Sequence, residues 1–355
     1  MQFIDLKAQY KHLEKEINSR IQNVLEHGKY IMGPEVKEFE ENLQEYLDIP
    51  HAISCANGTD ALVLSLMALD IKPGDGVFCP TFTYFASGES IANVGATPIF
   101  VDSNLDTFNM CPIDLENKIS KALSEDTVKP KAIMTVDLFG LPADYEAIKK
   151  IANEYNLKII EDGAQGFGGS INCQKACTFG DIATTSFFPA KPLGCYGDGG
   201  AVFTHNEDLA EVVKSLRVHG KGSDKYDNIR IGMNSRLDTI QAAILIEKLK
   251  AFPKELEKRN EQAQKYNQQL KNCYKVPEVP DGYLSSWAQY TLQVEDRAKV
   301  INKYTEEGIP TMIYYSKNLH QQSAFDYLGY SEGDFPNAEK LSQSVLSLPM
   351  HGYMK

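Results

Sequence analysis

Lys158-Ile159-Ile160-Glu161-Asp162-Gly163-Ala164-Gln165 is a short apolar run that ends abruptly in two acids and a glycine. Runs of the same kind lie upstream, at Val77-Phe78-Cys79, Pro98-Ile99-Phe100-Val101 and Ala132-Ile133-Met134-Thr135-Val136. Between the last of these and Lys158, the residues Tyr145, Ile148, Ala152 and Tyr155 recur at helical spacing. Buried strands alternating with amphipathic helices predict an α/β domain with a mostly parallel sheet covered by helices on both faces. Ligands of such sheets bind beyond the carboxyl ends of the strands, where Asp162 stands. Position alone also allows a plainer role for Asp162, as the cap of the turn that follows.

Outward from this centre, Leu13, Ile17, Ile21 and Val24, then Val36, Phe39, Leu43 and Leu47 beyond the Gly33-Pro34 turn, predict two opening helices. From Leu237 a long helical stretch is expected to run past Leu249, to be interrupted at Pro253 and to resume as far as about Leu270, linking two units. Trp287 to Val294 alternates as a half-buried strand, with a helix expected around Val300 to Tyr304 and a strand near Ile309 to Tyr315. A chain of 355 residues exceeds the usual size of one core. We therefore expect a large unit at 1–245, including the opening helices, and a small α+β unit at 246–355.

The net charge of −12 and a pI near 5.2 offer no basic footprint for nucleic acid or anionic lipid. Charges in Asp5 and Lys7 interrupt any signal-peptide run, and no stretch reaches membrane-span length, so a cytoplasmic location is expected. Seven scattered cysteines read as free thiols. Cys173 and Cys177 have no partner pair at zinc spacing, so no metal is expected.

The segment Thr184-Thr185-Ser186-Phe187-Phe188-Pro189-Ala190-Lys191-Pro192-Leu193-Gly194-Cys195-Tyr196-Gly197-Asp198-Gly199-Gly200 sets a lone lysine among aromatic and small residues after a strand. Desolvation there would lower the pKa of Lys191 and suit it to imine chemistry with carbonyl compounds. The plainer reading is a surface loop lysine. Ser54-Cys55-Ala56-Asn57-Gly58-Thr59-Asp60-Ala61-Leu62 is a polar turn entering a helix, whose free amides suit phosphate, although Asn-Gly-Thr-Asp is also an ordinary turn and cap. His12, His27, His51 and His205 have no evident partners and read as surface or structural residues.

At these segments the chain resembles the DegT/DnrJ/EryC family of sugar aminotransferases, pyridoxal 5′-phosphate (PLP) enzymes of fold type I. The resemblance runs from Phe3-Ile4-Asp5-Leu6 to Leu348-Pro349-Met350-His351. It is carried by the three segments above, Thr83-Tyr84-Phe85-Ala86-Ser87 and Gly232-Met233-Asn234-Ser235-Arg236-Leu237-Asp238. It implies a seven-stranded, mostly parallel sheet and a small C-terminal α+β domain. It also implies that Lys191 forms the internal aldimine and moves the proton, that Asp162 pairs with the pyridine nitrogen, and that Gln165 bonds the ring's 3-oxygen. Tyr84 would stack on the ring, with Phe82 beside it as core. Phosphate would be held by the amides of Thr59 and Asp60, by Ser186, and by Asn234 from a second subunit, which makes the implied assembly a homodimer with shared sites.

The Ser186 to Gly200 segment looks closest to enzymes that aminate UDP-2-acetamido-3-oxoglucuronate, with L-glutamate as donor, for bacterial surface polysaccharide such as O-antigen. Tyr314-Tyr315-Ser316 replaces the His-Tyr-Pro usual in those relatives, so a histidine near the sugar becomes Tyr314. Arg236 is then the candidate for a uronate carboxylate, or else an interface residue. Tyr315 and His320 are further sugar-contact candidates. The chain stops soon after His351, where relatives usually continue into a closing helix. The alternatives are amination of a 4-keto-6-deoxy sugar nucleotide and, failing catalysis, simple binding of PLP or a nucleotide sugar. The last would be favoured by loss of Lys191 or Asp162, and both are present.

Overall fold

The computed structural model describes residues 2–224 and 226–354; residues 1 and 355, the outer bounds of the two expected units, lie outside them. Helices α1 (Leu6–His27) and α2 (Pro34–Leu47) open the chain. There follow β1 (His51–Cys55), α3 (Gly58–Ala68), β2 (Asp75–Pro80), α4 (Phe85–Asn93), β3 (Thr97–Val101), α5 (Pro112–Glu125), β4 (Lys129–Val136), α6 (Tyr145–Tyr155) and β5 (Lys158–Asp162). After the short β6 (Ser170–Ile171) and β7 (Gln174–Lys175) come β8 (Ile182–Ser186), β9 (Gly200–Thr204) and α7 (Glu207–Leu216).

The main sheet has seven strands in the order β1-β9-β8-β5-β4-β2-β3. Strands β3, β2, β4, β5 and β8 are parallel, and β9 runs antiparallel to both β8 and β1. Six strands therefore point the same way. The strand period of two then sorts side chains between two cores. Ile53, Val77, Met134, Ile160, Ile182 and Val202 face α3, α4 and α7, whereas Ala52, Phe78, Ile133, Ile159, Ala183 and Phe203 face α2, α5, α6 and the next helix.

That next helix is α8 (Thr239–Leu270), followed by β10 (Tyr283–Leu284), β11 (Tyr290–Gln293), α9 (Arg297–Glu306), α10 (Pro336–Ser344) and β12 (Val345–Leu348). The interruption expected at Pro253 does not occur, since α8 continues through it for 32 residues. One missing N–H is a small loss beside the burial of Phe252 and Leu256 on either side. The strand expected at Ile309 to Tyr315 reduces to a single bridge between Met312 and Ser347, because Pro310 has no N–H to continue a ladder. Strands β11 and β12 pair antiparallel, and β10 joins β6 and β7 in a small third sheet.

A separate core collects Ala263, Trp287, Tyr290, Leu292, Val300, Tyr304, Leu346 and Met350. Leu319, Phe325, Phe335, Ala338 and Leu341 instead pack into the core on the α3 and α4 face. Among the described residues no helix is long and apolar enough to cross a membrane.

Candidate active site

Because six strands share one direction, one edge of the sheet gathers the segments leaving β1, β2, β4, β5 and β8 together with the start of β9. Asp162 is the last residue of β5 and is 6% exposed. Its Oδ2 accepts from Ser87 Oγ at 2.8 Å, and Oδ1 accepts from the Ala164 N–H at 3.2 Å. Burial pushes its carboxyl pKa up, opposed by Ser87 and by the charge of Lys191.

Lys191 sits in the loop between β8 and β9, partly buried. The loop is tied down by Lys191 N–H donating to Phe188 O at 2.8 Å, Cys195 N–H to Phe187 O at 2.8 Å, and Phe187 N–H to Gly199 O at 2.7 Å. Burial lowers the Lys191 pKa, and the Asp162 carboxylate partly restores it. The amine is thus held closer to its nucleophilic, neutral form than a surface lysine is.

The start of α3 lies directly on the end of β8. A Cβ on Gly58 would stand 2.6 Å from Ser186 Cβ, and one on Gly200 would stand 2.4 Å from Asn57 O. Glycine at both positions lets the first turn of α3 and Ser186 form one cradle. Asn57 caps this helix by accepting the Asp60 N–H at 2.8 Å. Thr59 lies in the first turn, where N–H groups have no intrahelical acceptor. The cradle is braced by buried Arg217, which donates to Ser54 O at 2.6 Å and to Glu40. Ser235 joins it from the following loop, accepting from the Ala56 N–H at 3.1 Å.

Gln165 has a fixed orientation. Its Oε1 accepts from the Phe139 N–H at 2.8 Å, so its Nε2 donates outward, to Tyr315 Oη at 3.2 Å. Tyr84 precedes α4, is 56% exposed, and has its ring centroid 6.1 Å from that of Tyr315. Phe82 is fully buried, as the core reading expected. Tyr314 is half-buried, with its ring centroid 6.2 Å from that of Phe3, and burial raises its pKa. Asn234 is exposed and accepts from Arg236 Nη2.

Two expectations need correction. His320 is 5% exposed, with Nδ1 2.7 Å from Thr81 Oγ1 and Nε2 3.2 Å from Glu339 Oε1, so neither ring nitrogen is left for a sugar. It anchors the segment after Tyr315 to the end of β2. His27, read as partnerless, bonds Glu35 at 3.1 Å, still a structural role.

Sequence reading missed Ser87, the Phe139 amide and Arg217. Ser87 lies three residues after Tyr84 in Thr83-Tyr84-Phe85-Ala86-Ser87, hence on one helical turn with it, which is the signal the sequence offers. Among the described residues no cluster of three or more His, Cys, Asp or Glu side chains could hold a metal ion.

The family model described as the DegT/DnrJ/EryC1/StrS aminotransferase family matches residues 11–355. The chain belongs to this family. It is similar to the UDP-2-acetamido-2-deoxy-3-oxo-D-glucuronate aminotransferase of Pseudomonas aeruginosa, at 42% identity over 100% of this chain and 96% of that protein. It is 39% identical to the dTDP-3-amino-3,6-dideoxy-alpha-D-galactopyranose transaminase of Aneurinibacillus thermoaerophilus, over 99% and 94% of the two chains. It is 33% identical to the 3-oxo-glucose-6-phosphate:glutamate aminotransferase of Bacillus subtilis, over 95% and 76%. A crystal structure of a family aminotransferase from Brucella abortus superposes with a TM-score of 0.98 at 50% identity, covering 100% of this chain and 95% of that one. The Bacillus subtilis protein NtdA, solved with bound cofactor PMP, superposes with a TM-score of 0.88 at 32% identity, covering 99% and 79%. As a member of the DegT/DnrJ/EryC1/StrS family with this fold, the protein is a PLP-dependent sugar aminotransferase.

Proposed function

We propose that this enzyme moves the amino group of L-glutamate onto UDP-2-acetamido-3-oxoglucuronate, in the assembly of a bacterial surface polysaccharide such as O-antigen. The full-length likeness to the Pseudomonas aeruginosa enzyme carries the choice of sugar. The glutamate donor follows the name of the Bacillus subtilis relative.

The residues on the sheet edge fit the cofactor. Bound PLP supplies an electron sink for carbanion chemistry, and the chain's own residues hold and serve it. Lys191 would hold it through its amine and would move the proton that the exchange of the amino group requires. Asp162, whose carboxyl burial pushes up while the Ser87 hydrogen bond and the charge of Lys191 oppose that shift, would pair with the pyridine nitrogen. Gln165, its donor end turned outward by Phe139, would donate to the ring's 3-oxygen, and Tyr84 would stack on the ring. The Gly58 and Gly200 cradle receives the phosphate through the Thr59 amide and Ser186, with the Asp60 amide shared with its Asn57 cap.

Asn234 and Arg236 serve the site of a second subunit. Their loop borders an apolar surface of Tyr30, Ile31, Met32, Ile229 and Ile231, all exposed in the single chain. Exposed patches of this kind mark protein interfaces. Residues 30–33 are joined to that loop's end by the Thr239 N–H donating to Tyr30 O at 2.9 Å. Arg236 meets the sugar carboxylate, with Tyr314 and Tyr315 beside the sugar.

A second reading, amination of a keto-6-deoxy sugar on dTDP, is favoured by the uncharged Tyr314 and by the Aneurinibacillus relative. Mass spectrometry of products from a panel of UDP- and dTDP-linked keto sugars with L-glutamate separates the two. Turnover of the UDP-uronate alone is expected, slowed by Arg236→Lys by about 1.5–3 kcal/mol while an uncharged analogue is spared. Preference for the 6-deoxy sugars would replace the uronate assignment.

A further inference from the structure

Gln165 can serve a ring oxygen only with its amide turned one way round. With Nε2 forward it donates; with Oε1 forward it sets acceptor against acceptor. The Phe139 N–H decides between them, since it donates to Oε1 at 2.8 Å and leaves Nε2 on the open side. Nε2 carries two N–H groups, of which one reaches Tyr315 Oη at 3.2 Å and the other is left for the ring.

Phe139 presents its N–H from a backbone that a phenylalanine rarely adopts, with φ of +58°, and Gly140 follows at +104°. Such a turn persists where its surroundings over-determine it. Those surroundings are Ser285 to Gln289, between β10 and β11. The Ser286 N–H donates to Gly140 O at 2.9 Å, and the Gln289 N–H to Phe139 O at 3.3 Å. Ser286 Oγ donates to Gln165 O at 2.6 Å, across 121 positions of sequence. A Cβ on Gly140 would stand 2.4 Å from that Oγ, so the two segments are in direct contact. Ser286 is fully buried and thus grips both the turn that orients the Gln165 side chain and the Gln165 main chain. The grip is anchored on α8, where Arg259 Nη1 donates to Trp287 O at 3.1 Å and Asn260 Oδ1 accepts from Trp287 Nε1 at 2.9 Å.

We propose that Ser286 is a positioning residue for the cofactor: by holding the Phe139-Gly140 turn against the Gln165 main chain, it keeps the Gln165 amide turned with its donor end toward the ring's 3-oxygen. The inference rests on the reading that Gln165 donates to that oxygen. A hydrogen bond onto the 3-oxygen favours its negative charge, most of all when no proton on the nitrogen that would join Lys191 to the cofactor balances it. That proton therefore leaves at lower pH when Gln165 donates well. Its loss changes the visible band of the holoenzyme, so absorbance titration across pH reads it without turnover.

Ser286→Ala is expected to raise the midpoint by about 0.5 to 1 pH unit, the scale of one weakened hydrogen bond, and Gln165→Leu by at least as much. In the Gln165→Leu background Ser286→Ala should add nothing, because the residue it acts through is gone. No upward shift in Ser286→Ala, or a shift that persists undiminished in the Gln165→Leu background, overturns the proposal and leaves the Gln165 reading in place. An unmoved midpoint in Gln165→Leu itself removes that reading and the proposal with it. Should the alanine variant not fold, Ser286→Cys keeps the side chain's size with a weaker donor. It runs the same cycle, with a smaller upward shift expected and the same outcomes against it.

Discussion

Ser87, in the first turns of α4, donates a 2.8 Å hydrogen bond to Asp162 Oδ2 at the end of β5. A carboxyl that burial alone would push toward its neutral form is thereby biased back toward the anion. Ser87→Ala should leave the fold intact and raise the PLP dissociation constant of the apoenzyme about tenfold, as expected for one charge-assisted hydrogen bond. Absorbance titration measures it, and unchanged affinity would show that Ser87 does not support the cofactor through Asp162.

Asp137 and Glu161 form a second acidic pair, buried on the opposite side of β5. Glu161 accepts from the Phe179 N–H at 2.7 Å, the Gly180 N–H at 3.2 Å and the Cys177 N–H. Asp137 Oδ1 accepts from the Ala143 N–H at 2.9 Å and from Tyr145 Oη at 2.8 Å, while Oδ2 has no partner. Burial, with the charge of Glu161 second, raises the Asp137 pKa well above the usual carboxylate range. The folded protein therefore keeps a proton that the unfolded chain releases near pH 4 (about 3.9 for a free aspartate). The stability this gives is complete below that value and declines as pH rises toward the folded pKa of Asp137. Asp137→Asn, already neutral, should flatten the decline and match or exceed the wild type at pH 8. Melting curves at pH 5 and 8 test this, and a variant destabilised equally at both would show that Asp137 is charged in the fold.

Much of the site was legible because it obeys local rules. An apolar run ending in Asp162, a lysine in an aromatic and glycine-rich loop, and a glycine turn entering α3 each carry their own signal within a few residues. The contacts that tune them do not. Ser87 reaches Asp162 across 75 positions, and the Phe139 amide that orients Gln165 comes from a residue with φ of +58°, unusual for phenylalanine. Such pairings exist only once β2, β4 and β5 are side by side. Continuity of α8 through Pro253 and the loss of the strand at Ile309 to Tyr315 have the same origin, since packing in one case and a missing donor in the other outweigh periodicity.

If Asn234 serves a partner's phosphate cradle, mixed dimers of Lys191→Ala and Asn234→Ala chains should regain activity. One site of each hybrid then receives both defects and the other neither. Hybrids whose dimeric state is verified by sedimentation but which stay as inactive as the parents would place Asn234 in its own chain's site.

Whether Lys191 carries the cofactor can be measured directly. Borohydride reduction of the yellow holoenzyme should bleach it and fix PLP covalently, and peptide mass mapping should find the added mass on Lys191 alone, with none in Lys191→Ala. A label on Lys248 or another lysine, or persistent colour without covalent attachment, would contradict it.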